Sequence, residues 1–216
     1  TRRCIWQVLP ITKNYPNDLD AADVRHFLFC KGVMALAATR LIALHKNKGK
    51  SVAACLKSRT NYAKNPDKTN RGELVSSYEC SPLTADEEFM LSKRQYELMT
   101  GRRQKSDVIA YQIRQSFKPG EITAEEANKV GYELAMRFTK GKYAFIVATH
   151  TDRQHIHNHV IFNSTALDGT RKFRDFFFSA LAVQRLSDLI CLQGSTCVNF
   201  HADWLLLFTQ PMPISA

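Results

Sequence analysis

One short stretch constrains this chain more than any other, because it places four of the seven histidines within ten residues, from His150 to His159. In an extended strand, the odd-numbered positions from 155 to 163 share one face and the even-numbered positions share the other. The odd face carries three imidazoles and an amide, and the even face carries Ile156, Val160 and Phe162. The pattern therefore predicts a strand over His155–Asn163, with its apolar face packed under helices.

Hydrophobic periodicity predicts that the rest of the chain forms a sheet carrying helices, and capping-box patterns at Thr84 with Glu87 and at Thr123 with Glu126 predict two helix starts. Tyr143–His150 and His155–Asn163 are predicted to pair as a hairpin joined by a tight turn. The predicted order is β-α-β-α-β-α-β-β-α, which indicates an α+β fold. The remaining elements, in chain order, are a strand at Thr39–His45, a helix from Ser51 to Lys64, a short extended segment at Glu73–Glu79, a helix from Ala85 to Met99, a strand at Asp107–Phe117, a helix from Thr123 to Lys140 and a last helix at Phe176–Leu192.

The two ends of the chain differ from its middle. Residues 1–33 show no clear periodicity and precede Met34, a credible initiator methionine. Residues 194–216 change abruptly from a helical pattern to Gly-Ser-Thr-Cys and an unpatterned apolar tail. We therefore expect one domain over residues 34–193, an N-terminal extension over 1–33 and an atypical C-terminal tail over 194–216.

The charge balance suggests a polyanionic partner. The formal net charge is +10, and the segment from Arg40 to Arg71 contains a single acid, Asp67. Such a run is either a solvated face or a surface that follows a phosphate backbone. Its basic residues are Arg40, Lys46, Lys48, Lys50, Lys57, Arg59, Lys64, Lys68 and Arg71.

The cysteine pattern and the hydropathy give an expectation about the compartment. The six cysteines form no C-x-x-C pair, which is typical of free thiols in a reducing environment. We see no secretory signal and no apolar run of the roughly 18 residues that a membrane span needs. We therefore expect a cytoplasmic location.

The histidines of the predicted strand indicate a metal site. Imidazoles crowded on one face would repel one another if protonated, but neutral imidazoles can converge on a cation. His150 can reach the same point from the neighbouring strand. One divalent ion is expected, magnesium or manganese for phosphate chemistry, with zinc as the alternative. Asp152 either orients an imidazole or caps the turn.

Two motifs together resemble one known family. His150-x-Asp152 followed by His155-x-His157-x-His159 and Asn163 is similar to the third motif of relaxases in the HUH endonuclease superfamily, close to the P-type mobilisation class. The segment from Tyr62 to Cys80 resembles the N-terminal tyrosine motif of the same family. The resemblance extends from about Met34 to Gln193. It implies a five-stranded, mainly antiparallel sheet and a 5′-phosphotyrosyl intermediate at an origin-of-transfer nick.

The resemblance also selects site residues. It implies that His150, His157 and His159 bind the ion, with His155 and Asn163 nearby. Tyr62 would be the nucleophile, and Tyr78 and His45 are the reserve candidates. The other expected site residues are Asp152, as a catalytic residue, and the DNA-binding residues Arg40, Lys57, Arg59, Lys64 and Lys68.

The expected function is strand-specific nicking and rejoining of DNA at an origin of transfer, which starts conjugative mobilisation. The expected partners are single-stranded DNA, accessory relaxosome proteins and a conjugative coupling protein. The alternatives are a rolling-circle replication initiator or transposase of the same superfamily, a non-catalytic DNA-binding remnant, and an unrelated three-histidine metallohydrolase. The position of Tyr62 before the histidines favours the relaxase among these.

Overall fold

A computed structural model describes residues 37–103 and 107–193 of the chain, so both proposed terminal segments lie outside the described residues. Within them, the nine elements follow the predicted order, with four α-helices on a five-stranded sheet. The elements are β1 (Ala38–His45), α1 (Val52–Ala63), β2 (Val75–Tyr78), α2 (Ala85–Thr100), β3 (Val108–Ser116), α3 (Ala124–Thr139), β4 (Phe145–His150), β5 (His157–Asn163) and α4 (Ser179–Gln193).

The sheet has the strand order β1-β3-β5-β4-β2, and every neighbouring pair is antiparallel. The α+β class and the antiparallel sheet are thus confirmed. β4 and β5 pair as the predicted hairpin, with His150 opposite His157. β5 lies at the centre of the sheet, between β3 and β4.

Three local predictions differ from the structure. β5 begins at His157 rather than His155, so residues 151–156 form a connection longer than a tight turn. α4 begins at Ser179 and not at Phe176, and the Ser179 hydroxyl accepts a hydrogen bond from the Phe176 amide in the turn before the helix. At the start of α2, the Thr84 hydroxyl donates to Glu88 instead of capping a backbone amide.

Both faces of the sheet are covered by helices, each over its own core. One core contains Val147, Val160 and Phe162 from the central strands, packed with residues of α3 and α4. The other contains Ile146 and Ile161, packed with residues of α1 and α2. The face that carries the histidines is therefore apolar in the middle of the strands. No helix within residues 37–103 and 107–193 is long and apolar enough to cross a bilayer.

Candidate metal centre and nucleophile

Three imidazoles meet where β4 ends and β5 begins. The ring centroids of His150 and His159 are 4.4 Å apart, and that of His157 lies 5.1 Å from His150 and 5.2 Å from His159. One ring nitrogen from each residue lies within 4.8 Å of the other two. The antiparallel register creates this cluster, because it places the last residue of β4 opposite the first residue of β5.

His150 has the hydrogen-bonding state of a metal ligand. Its Nε2 lies 2.8 Å from the carbonyl oxygen of Ala63, so that nitrogen carries the proton and donates it. The lone pair of a neutral imidazole is then on Nδ1. This atom is buried and has no hydrogen-bond partner among the described residues. A buried acceptor without a partner is costly unless something else contacts it, and a cation at the centre of the cluster would do so.

The other two imidazoles are oriented in the same manner. His157 Nδ1 donates to the carbonyl oxygen of His155 at 3.3 Å, which leaves its Nε2 lone pair free. His159 Nδ1 contacts the side-chain amide nitrogen of Gln112 on β3. A 180° rotation of that amide places its oxygen against the ring instead, where it accepts the Nδ1 proton and leaves Nε2 as the ligand atom. Metal-bound histidines usually donate their second nitrogen to a protein oxygen in this way.

The cluster favours neutral imidazoles. Burial lowers the pKa of His159 to about 3, with a further contribution from the neighbouring histidines. Burial also lowers the pKa of His150 and of His157. Neutral nitrogens are the form that binds a metal ion, so the three residues fit the divalent ion that the sequence predicts.

We expect Gln112→Leu to weaken metal binding, because it removes the group that orients His159. Loss of such a partner typically lowers metal affinity by about 10-fold to 100-fold. Titration calorimetry with Mn²⁺ measures the change, with Gln95→Leu on the exposed side of α2 as the matched control. An unchanged affinity in Gln112→Leu would show that the amide contact has no orienting role.

The free energy of unfolding of the metal-free protein should fall as the pH is lowered from 6.5 to 5. Unfolded histidine has a pKa near 6.5, whereas burial holds that of His159 at about 3. Between these values the unfolded chain binds more protons, so stability is present above pH 6.5 and is lost below it. His159 is 3% exposed and contributes up to about 1.4 kcal/mol per pH unit.

Urea unfolding of the parent protein and of His159→Gln at both pH values measures how the free energy of unfolding changes with pH. The variant should show a flatter dependence whatever its absolute stability. Equal slopes in both proteins would contradict the prediction.

Tyr62 lies directly on the imidazole cluster. Its ring makes edge contacts with His150 and His159, with centroids 6.1 Å and 5.9 Å away. The side chain is nevertheless 55% exposed, so its hydroxyl can be reached from solvent. The position follows from α1, because the neighbouring Ala63 ends that helix and accepts the hydrogen bond of His150.

Lys68 and Asp152 border the same cluster as an ion pair. Lys68 Nζ lies 3.0 Å from Asp152 Oδ2 and 4.9 Å from the centroid of the Tyr62 ring. The hydrogen bond with Asp152 raises the pKa of Lys68, and Lys68 in turn lowers that of Asp152. The Lys68 carbonyl oxygen also accepts the amide of Thr151 at 2.9 Å. In the structure, the Asp152 carboxylate thus contacts a lysine rather than an imidazole.

The reserve nucleophiles lie elsewhere. Tyr78 pairs with Phe145 at the end of β4 remote from His150, about 16 Å away at 3.3 Å per residue. Its hydroxyl donates to the carbonyl oxygen of Gly141 at 3.3 Å. His45 pairs with Val108 at the far end of β3 and contacts Asp107 at 2.9 Å. Of the three candidates, only Tyr62 contacts the cluster.

The two remaining members of the histidine motif have different surroundings. His155 contributes its carbonyl oxygen to His157 and stands outside the nitrogen cluster. Asn163 lies at the other end of β5, where its Oδ1 accepts a hydrogen bond from Lys93 Nζ at 2.9 Å. Burial lowers the pKa of Lys93 to about 7. Asn163 and Lys93 therefore form a buried polar contact away from the cluster.

The expected DNA-binding residues do not share one surface. Arg59 is exposed and lies about 60° from Tyr62 around α1, whereas Lys57 is about 140° away. Lys64 is half-buried, and its Nζ donates to the carbonyl oxygens of Pro82 at 2.5 Å and Leu83 at 3.4 Å. The Lys64 ammonium is therefore engaged within the protein. Arg40 and Lys68 are on the cluster side of the sheet.

Two residues near the cluster were not predicted from the sequence. Gln112 and Arg114 are on β3, and Arg114 is directly opposite His159 in the register. Arg114 is exposed although both of its neighbours in β3 are buried. An exposed arginine within a strand of mostly buried residues is a usable clue, but the pairing with His159 depends on a register that the sequence does not reveal.

Comparison with known families matches the part of the chain that carries the cluster. The family model described as relaxase, MobA/VirD2-like, nuclease domain matches residues 62–195, more than half of the chain. The matched region begins at Tyr62 and includes all three clustered histidines.

Individual relatives agree with the family match. The group II intron-interrupted relaxase LtrB of Lactococcus lactis is 34% identical over 132 residues, which are 52% of this chain and 23% of that protein. Protein rlx of Staphylococcus aureus is 40% identical over 84 residues, 39% of this chain and 26% of the relative. A second protein of that name from the same species is 30% identical over 128 residues, 59% of this chain and 37% of the relative. The chain thus spans 23% to 37% of the length of these curated relatives.

Proposed function

This chain belongs to the relaxase family of MobA/VirD2-like nuclease domains, and we propose from that premise that it nicks and rejoins one DNA strand at an origin of transfer. The observation that carries the proposal is the contact between Tyr62 and the imidazole cluster. A solvent-accessible phenol beside three neutral imidazoles combines a nucleophile with a metal site. Nothing else in the described residues brings a hydroxyl nucleophile and such a cluster together.

The proposed reaction is an exchange of phosphodiesters. The Tyr62 oxygen attacks the scissile phosphorus, a tyrosyl O–P bond forms and the bond from phosphorus to the 3′ oxygen breaks. The phenolic proton leaves to solvent, and the released 3′ oxygen takes a proton from solvent. The energy of the broken bond is kept in the 5′-phosphotyrosyl ester, so attack by a 3′ hydroxyl rejoins the strand without another energy source.

The site residues have separate roles in this reaction. His150, His157 and His159 would hold one divalent ion, magnesium or manganese, and Gln112 would orient His159. Such an ion, when bound, supplies Lewis acidity to the non-bridging oxygens of the phosphate. Lys68 places a positive charge next to Tyr62, where it would offset the charge on the attacked phosphate. Asp152 would act as a positioning residue, because its carboxylate holds the Lys68 ammonium.

Further proposals concern the setting of the reaction. Residues 34–193 would be the nuclease domain, flanked by an extension at 1–33 and a tail at 194–216. Arg40, Lys57 and Arg59 would contact DNA, together with Lys68. The reaction would take place in the cytoplasm, with accessory relaxosome proteins and a conjugative coupling protein as partners.

Trapping of the covalent product tests the proposed function. The chain is incubated with Mn²⁺ and a pool of random single-stranded oligonucleotides, and peptides that carry DNA are identified by mass spectrometry. We expect the adduct on Tyr62, attached to a 5′ phosphate. DNA binding without any adduct would identify a non-catalytic module, and an adduct on another residue would transfer the role of the nucleophile.

A further inference from the structure

An open cleft of about 540 Å³ lies at the β1 edge of the sheet, between α4 and the paired strands β1 and β3. Three arginines line it: Arg40 and Arg114 from the strands and Arg185 from α4. The Nε of Arg185 is buried and has no hydrogen-bond partner among the described residues. The one acid among the described lining residues is the buried Asp188. These described residues therefore give the cleft an excess of positive charge, and the Nε of Arg185 is a donor left to satisfy.

The strand register connects this cleft to the cluster. His159, Arg114 and Arg40 are directly opposite one another on three neighbouring strands, so their side chains emerge from the same face of the sheet. Cross-strand neighbours of this kind are roughly 5 Å apart at Cβ. Both arginines are exposed, which shows that the helices leave this part of the face open. A row of positive charge thus begins at the metal site and ends at the edge of the sheet.

Three consecutive phenylalanines lie immediately before α4, beyond the cleft. Phe176, Phe177 and Phe178 are 65%, 91% and 58% exposed. The rings of Phe177 and Phe178 are 5.1 Å apart and nearly perpendicular, so they present separate faces. The carbonyl oxygen of Phe178 accepts the amide of Ala182, which continues the helical pattern back to Phe178. Leu181, three residues later on the same side of the helix, lines the cleft.

We propose that this cleft and the exposed phenylalanines bind the single strand that flanks the scissile phosphate, a binding site separate from the metal centre. Arg114, Arg40 and Arg185 contact consecutive phosphates, and Phe177 and Phe178 stack against bases. The inference rests on the proposed function for its ligand. A positively charged groove with exposed aromatic rings next to it is the chemistry that holds single-stranded nucleic acid without reading its sequence.

The aromatic part is tested with two fluorescent probes: a 30-nucleotide oligo-dT and an abasic strand of the same length. We expect the double variant Phe177→Ala, Phe178→Ala to bind oligo-dT about 10-fold to 100-fold more weakly than the parent. Binding of the abasic strand should not change, since it has no bases to stack. Leu98→Ala, which removes an equally exposed apolar side chain from α2, is the control and should behave like the parent.

Leucine variants distinguish base stacking from the burial of apolar surface. Phe177→Leu with Phe178→Leu keeps the apolar surface but removes the ring faces, so it should lose affinity for oligo-dT as the alanine variant does. Parental affinity in the leucine variant, or an equal loss for both probes, would overturn the base-stacking role. The second result would mean that the phenylalanines act on the DNA backbone or on the fold of the cleft and do not contact bases.

The arginine part is tested by salt dependence. On single strands the slope of log affinity against log salt concentration is about −0.7 per neutralised phosphate. The double variant Arg40→Gln, Arg114→Gln should therefore have a shallower slope, by the amount that roughly two phosphate contacts contribute. Lys129→Gln, an exposed cation on the helix that covers the other face, should keep the parental slope. A parental slope in the arginine variant would overturn the phosphate contacts. Because binding is measured without cleavage, either failure is distinguishable from absence of the Tyr62 adduct.

Discussion

Tyr62→Phe is expected to abolish covalent attachment of DNA, by about 10³-fold or more, while binding of the same oligonucleotide stays close to the parental affinity. The variant loses only the hydroxyl that attacks phosphorus, and removal of a nucleophile generally costs catalysis on this scale. The ring keeps its edge contacts with His150 and His159, so the cluster should keep its shape. Denaturing gel electrophoresis of a labelled strand measures the adduct, and fluorescence anisotropy measures the binding.

Tyr78→Phe is the matched control for this experiment. Tyr78 makes a hydrogen bond to Gly141 at the other end of β4, so its variant should form the adduct at the parental level. A persistent adduct in Tyr62→Phe would assign the attack to a different residue. Equal loss in both variants would indicate a shared structural effect instead of a nucleophile.

The second large effect is expected from removal of the metal site. His157→Gln should lower strand cleavage by about 10³-fold, because Lewis-acid stabilisation of the phosphate is worth several kcal/mol. Treatment with a chelator should have the same effect on the parent protein, and added Mn²⁺ should restore its activity. His157 is chosen because it is only half-buried, whereas His150 is fully buried and donates to the backbone of α1.

His155→Gln provides the matched control within the same motif. The His155 imidazole is outside the nitrogen cluster, although its ring centroid lies 5.3 Å from that of His157. The hydrogen bond to His157 uses the His155 carbonyl oxygen, so the substitution leaves that bond available. We expect cleavage and Mn²⁺ affinity near the parental values. Full activity of His157→Gln in the presence of a chelator would contradict the metal-dependent reaction.

Several features of the molecule could be predicted from the sequence because they depend on nearby residues. The strand and helix order follows from local periodicity, and the capping box of Thr123 and Glu126 at the start of α3 is present as predicted. The shared face of His155, His157 and His159 follows from the alternation of side chains along a strand, and the family resemblance then selected His157 and His159. The β4–β5 hairpin, which brings His150 to the other two histidines, was also predictable because it connects segments only a few residues apart.

Other features depend on contacts between distant parts of the chain. Gln112 meets His159 only because β5 pairs with β3, and α1 carries Tyr62 to the cluster only because Ala63 meets His150, 87 residues later. Two lysines of the same charge also have different surroundings. Lys64 donates to carbonyl oxygens, whereas Lys68 forms an ion pair with Asp152. Local sequence determined the elements and the ligand types. Tertiary structure decided which side chains surround the ligand histidines, because packing and strand register bring together residues that share no local pattern.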